Sequence, residues 1–149
     1  MSMQTTWIVA ADSSRARIFE MHGLQDPVRE IEDFANPAGR EQDRELSSDA
    51  RGRYYGKGDG QQAHTAQPHV DEVEHQTELF SKRVGEYLDQ ARVEHRYDKL
   101  CLIAFPKFLG LLRQNLSKEA RRLVEDEVPK DISKFEAREI EDYVKNRLH

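Results

Sequence analysis

The spacing of apolar positions changes several times along the chain, and each change marks a new element. Thr5 to Ala11 (TTWIVAA) is a β-rich run that stops at the turn residues Asp12, Ser13 and Ser14. Arg15 to Met21 then alternates, with Ala16, Ile18 and Glu20 facing one way and Arg17, Phe19 and Met21 the other. The two runs and their short polar connection predict a hairpin. Val28 to Phe34 predicts a third strand in which Val28, Ile31 and Phe34 break the period of two, as a bulge would require. Asp71, with Glu74 three residues on, opens a predicted long helix. Its stripe is Val73, Thr77, Phe80, Val84, Tyr87, Leu88 and Ala91. Leu100 to Phe105 (LCLIAF) is continuously apolar, which predicts a central strand with Leu102 and Phe105 in the core. Pro106 suits the first turn of a helix carrying Phe108, Leu111, Leu112 and Leu116, and Ser117 caps a short continuation. Val124 to Val128 (VEDEV) predicts an edge strand with Val124, Asp126 and Val128 on one face. Glu136 to Leu148 predicts a final helix presenting Ile140, Tyr143, Val144 and Leu148 together.

The order β-β-β-α-β-α-β-α predicts an α/β fold with a mixed five-stranded sheet between helical layers. Right-handed crossovers make the first and fourth strands adjacent and parallel, which is the connectivity of a ribonuclease H-like three-layer architecture. Residues 1–149 read as a single domain, interrupted by a Gly-rich polar loop at about 35–70. Five of the eight glycines fall between Gly39 and Gly60. That loop accounts for much of the low mean hydropathy of −0.86.

Charge narrows the function classes. Lys and Arg number 23 against 28 Asp and Glu, a net charge of −5, which argues against generic DNA or membrane-surface binding. One cysteine, Cys101, excludes an internal disulfide framework and suits a reducing compartment. No apolar run approaches the roughly 18 residues of a membrane span, and Met1 to Ala11 lacks the pattern of a secretory signal. The expectation is a cytoplasmic protein with no membrane partner.

Within the loop, Arg51, Arg53 and Lys57 interleave with Tyr54 and Tyr55. Basic side chains beside aromatic faces are what single-stranded RNA recognition uses. Glu41, Asp43, Glu45, Asp49 and Asp59 offset that charge, so the competing reading is a solvated mixed-charge loop. The stretch GKGDG offers backbone N–H groups to phosphate, yet carries neither a Walker nor a dinucleotide fingerprint; its alternative is a mobile polar excursion. His64, His69 and His75 lie near Asp71, Glu72, Glu74 and Glu78 but match no standard zinc spacing, and read as surface histidines. A two-metal nuclease would take Asp12 and Glu74 or Glu78, but the fourth strand supplies no third carboxylate. Cys101, in a buried strand with no evident base, reads as packing. No metal and no cofactor are assigned.

Four separated stretches carry a resemblance: WIVAADSSRARIF at 7–19, EIEDFANPAGR at 30–40, HTAQPHVDEVEH at 64–75 and HRYDKLCLIAFPKFLGLLRQNLS at 95–117. Together they resemble the bacterial host attachment proteins (proteins required for attachment to host cells), a family similar to the middle domain of archaeal and eukaryotic peptide-chain release factors. That middle domain places a Gly-Gly-Gln motif in the loop before its long helix. Here Gly60 and Gln61 match the last two positions and Asp59 replaces the other glycine, setting negative charge beside an RNA backbone. The resemblance implies an RNA- or ribosome-associated module with little or no catalysis, the ribosome or tRNA being its partner. Any chemistry would be hydrolysis of the peptidyl-tRNA ester at Gly60 and Gln61. The alternative is a protein-interaction factor acting indirectly in attachment, with a protein partner and no nucleic-acid role.

Overall fold

A computed structural model describes residues 4–39 and 60–148, the side chains of 60–70 excepted. The described elements are β1 (Thr5–Ala11), β2 (Arg15–His22), β3 (Arg29–Ala35), α1 (Gly60–Val93), β4 (Lys99–Ala104), α2 (Pro106–Asn115), α3 (Lys118–Arg122), β5 (Val124–Val128) and α4 (Ala137–Leu148). The strands form one mixed sheet in the order β3-β2-β1-β4-β5. β1 pairs antiparallel with β2 and parallel with β4, and β4 pairs parallel with β5. The adjacent, parallel first and fourth strands are as the crossover rule requires.

Alternation divides the sheet cleanly. Trp7, Val9, Ala16, Ile18, Leu100 and Leu102 face a core shared with Phe80, Val84 and Leu88 of α1 and with Phe108 and Leu112 of α2. Ile8, Ala10, Phe19, Met21, Cys101 and Ile103 face the other way, against Ile132 and against Ile140 and Val144 of α4. The sheet is thus covered on both faces, and β1 and β4 have no exposed side.

Two bulges refine the expected strands. In the β2–β3 pair Ile18 faces Glu32 and Phe19 faces Glu30, so Ile31 is the extra residue that the broken period foretold. In the β4–β5 pair Leu100 faces Val124 and Cys101 faces Asp126, so Glu125 is extra. That second bulge corrects the sequence reading: Val124 packs with the α1 side, whereas Val128 is buried on the α4 side. Phe105 needs a correction too. Leu102 is fully buried, but Phe105 is only partly so, because it has left β4 and stands at the N-cap of α2.

The start of α1 differs more. The helix spans 34 residues from Gly60, eleven positions before the expected Asp71 cap. Among the described side chains the buried stripe begins at Val73, and polar composition plus Pro68 hides the helix in the preceding turns from a periodicity reading. The part of the expected 35–70 loop from Gly60 to Val70 is therefore helical. At the other end α1 closes with a Schellman motif: His95 N–H donates to the Arg92 carbonyl and Arg96 N–H to the Ala91 carbonyl, both at 2.9 Å. His95 takes the left-handed conformation at φ 57°, where glycine is the usual residue.

Candidate functional site

The C-terminal ends of parallel strands are where open α/β sheets place ligands. Here that edge carries most of the buried polar side chains in the described residues: Asp12, Ser13, Arg17, Asn36 and Ser133 are each less than a tenth exposed. Asp12 follows β1 directly, and its Oδ1 accepts from Ser14 N–H, Ser14 Oγ and Arg15 N–H, each at 2.8 Å. Its Oδ2 accepts from Ser133 Oγ at 2.8 Å. Arg17 reaches across the same edge, donating to the Ser133 carbonyl at 2.9 Å and to the Phe135 carbonyl while pairing with Glu30 at 3.0 Å. Its guanidinium also lies 4.9 Å from the Phe19 ring centre. A buried arginine with its charge matched and its N–H groups used is a positioning element of the fold.

The chain leaving β3 docks on the β1–β2 turn. Asn36 N–H donates to the Ser14 carbonyl at 2.8 Å, and Asn36 Nδ2 to the Ser13 carbonyl at 2.9 Å. Gly39 lies so close that a Cβ there would sit 1.8 Å from the Ser13 carbonyl oxygen. Ser13 Oγ is buried with no hydrogen-bond partner among the described residues. The first packed turns of α1 lie at this edge as well: Glu74 pairs with Lys107 of α2 at 3.5 Å, and Arg83 donates to the Ala35 carbonyl at 3.0 Å.

Arg51, Arg53, Tyr54, Tyr55 and Lys57 lie outside the described residues. Gly60 and Gln61 are the first two residues of α1 rather than part of a loop before it. Before the predicted patch the chain is docked at Asn36 and Gly39, and after it the described chain resumes as α1 at Gly60. His75 is exposed on α1, and no group of three or more His, Cys, Asp or Glu gathers among the described residues. Asp12, the one carboxylate that a nuclease reading draws from β1, is turned inward to its four donors. Burial, helped by Asp126 and Glu125, pushes the Cys101 thiol up to about 12, so it is a packing residue.

Sequence reasoning passed over Asn36, Ser133 and Arg17. Asn36 and Gly39 sat inside a quoted motif without a role, and the link from Arg17 to Ser133 spans 116 positions, beyond any local signal.

A mixed sheet covered by helices on both faces, with its C-terminal edge tied by buried polar side chains, defines an α/β scaffold. The chain belongs to the family described as protein required for attachment to host cells, whose model matches residues 7–144. No curated protein matches the chain. No helix among the described residues is long and apolar enough to cross a membrane.

Proposed function

We propose that this chain is a non-catalytic RNA- or ribosome-binding module working in the cytoplasm, and that any part it plays in host attachment is indirect. In this reading Arg51, Arg53 and Lys57 contact phosphates, and Tyr54 and Tyr55 stack on unpaired bases. Gly60 and Gln61 then stand beside the bound RNA and perform no chemistry. The observation that supports it is the docking of the chain just before the segment: Asn36 and Gly39 are held against the β1–β2 turn. Binding residues that follow a docked stretch of chain lose less freedom on association than a free tail would.

A second reading, a protein-interaction factor with no nucleic-acid role, is favoured by the net charge of −5. Sedimentation with ribosomes separates the two. Co-migration at low salt that weakens at moderate salt, and that weakens further in an Arg51→Ala, Arg53→Ala variant, is the expected result. Failure to co-migrate at low salt overturns the RNA reading. Cleavage of the peptidyl-tRNA ester that Gln61→Ala abolishes would overturn the non-catalytic part.

A further inference from the structure

At the opposite, N-terminal edge of the parallel strands lies a cavity of about 390 Å³, within the usual range for small-ligand sites. It is lined by Arg92 and His95 from the end of α1, Tyr97 and Asp98 before β4, and Glu119, Arg122 and Leu123 of α3 and its C-cap. We infer that this cavity binds a nucleoside phosphate, with the phosphate held between Arg92 and Arg122, the flat base against the half-buried Leu123, and a hydroxyl or amino donor on Glu119.

The two arginines come from the last turns of different helices and converge on one opening. Basic residues at helix C-termini already complement the helix dipole, so their presence alone implies no ligand. Their pairing is what points further. Arg92 gives only its Nε to the protein, to Asp89 Oδ1 at 3.0 Å, and Arg122 makes no ion pair or hydrogen bond with a described residue. Both guanidinium groups thus keep unused N–H donors facing the same cavity, an arrangement that suits the several oxygens of a phosphate. The two carboxylates of the lining behave differently from one another. Asp98 Oδ2 is taken up by Thr5 N–H at 2.8 Å, whereas Glu119 makes no hydrogen bond or ion pair with a described residue. An acidic acceptor beside a cationic pair disfavours a bare anion and favours one that also carries donors, as a nucleoside does.

The floor is apolar and stiff. Tyr97 is 4% exposed, donates its hydroxyl to the Leu88 carbonyl at 2.7 Å, and packs on Trp7 with ring centres 5.0 Å apart. Burial holds its phenol up at about 12, so it stays a neutral ring. This site is separate from the segment at 40–59, and the inference does not depend on that segment binding RNA.

The test is calorimetric titration of the full chain with the 5′-monophosphates of adenosine, guanosine, cytidine and uridine, followed in parallel by Trp7 emission. At least one should bind saturably with Kd below about 1 mM. Inorganic phosphate and the matching unphosphorylated nucleoside should each bind about tenfold more weakly or worse, because each lacks half the contacts. Arg122→Gln should weaken the nucleotide about tenfold at unchanged Tm, while Lys107→Gln, at the other sheet edge, should leave it unaltered. A 5′-phosphorylated RNA oligonucleotide that binds with the same Arg122 dependence makes a strand end the source of the group; binding of the mononucleotide alone makes free nucleotide the source. Absence of saturable binding by all four monophosphates overturns the inference. So does native-like binding by Arg122→Gln, or inorganic phosphate binding as tightly as the nucleotide.

Discussion

Ser133 Oγ lies 2.8 Å from Asp12 Oδ2, joining the turn after β1 to the loop after β5 across 121 positions of sequence. The same hydroxyl lies 2.8 Å from Asp131 Oδ1, so its single proton serves one carboxylate at a time. Asp12→Ala removes the acceptor for four donors at once in a buried site, and is expected to cost about 2–4 kcal/mol. Asp12→Asn keeps an oxygen for Ser14 and Arg15 and turns an amide donor toward Ser133, whose proton then goes to Asp131. It should cost less than half as much. Urea unfolding of the two variants checks this, and equal losses would show that the hydrogen-bond geometry described here does not govern the turn.

Two helical glycines should respond oppositely to the same substitution. In α2, Gly110 has nothing within 4 Å of where a Cβ would sit, so Gly110→Ala should stabilise the chain by about 1 kcal/mol through helix propensity alone. In α1, a Cβ on Gly85 would lie 2.5 Å from the Asn115 carbonyl oxygen. That oxygen is backbone and cannot rotate away, so α1 and α2 must separate. Gly85→Ala should destabilise by about 1–3 kcal/mol despite its better propensity. Thermal unfolding of the pair reads the sign directly, and a Tm rise for Gly85→Ala would refute the close approach.

Cys101 should be unreactive toward thiol reagents while the chain is folded. It is 1% exposed and its thiol is raised to about 12, mainly by burial. At pH 8 only about one thiol in ten thousand is ionised. Labelling by a chromogenic disulfide should therefore follow the unfolding rate and reach completion only in denaturant. Stoichiometric labelling within minutes in native buffer would place the thiol at the surface.

The elements that sequence made legible are those with a strong local period. Ile18 and Phe19 part to opposite faces as alternation requires, and the Val73 to Ala91 stripe of α1 is buried as spaced except at Tyr87, which is only partly so. Legibility ended where structure depends on one inserted residue or on distant partners. The bulge at Glu125 sends Val128 to the face opposite Val124, although the VEDEV pattern itself is unbroken. The polar turns of α1 ahead of Val73 have no apolar stripe to announce them, and Pro68 argues locally against them. The cavity of Arg92, His95 and Arg122 was invisible for a different reason. Its residues are ordinary surface charges of two helix ends, and only the fold of α3 against the end of α1 makes them neighbours. Asp89 contributes to that juxtaposition by accepting from Ser117 Oγ at 2.5 Å, the hydroxyl that also caps α3.

Trp7, the only tryptophan in the chain, should report the protonation of one carboxylate in acid. Its indole N–H donates to Glu20 Oε2 at 3.1 Å, and Glu20 Oε1 accepts from Arg29 and from His22, each at 3.0 Å. Burial acts to raise the Glu20 carboxyl, but the hydrogen bonds from Trp7, His22 and Arg29 outweigh it and hold the group below its ordinary 4.5. A carboxyl lowered in the folded state binds its proton more weakly there than in the unfolded chain. Its stabilising contribution is therefore complete above pH 4.5 and is lost as pH falls through the lowered folded value. Protonation weakens the charge-assisted bonds to Trp7 and Arg29, so Trp7 emission should change with a midpoint below pH 4.5. Glu20→Gln keeps an acceptor oxygen without a titrating group, and should flatten that transition while lowering stability at pH 7. A Trp7 titration that survives unchanged in Glu20→Gln would assign the acid response to another carboxylate.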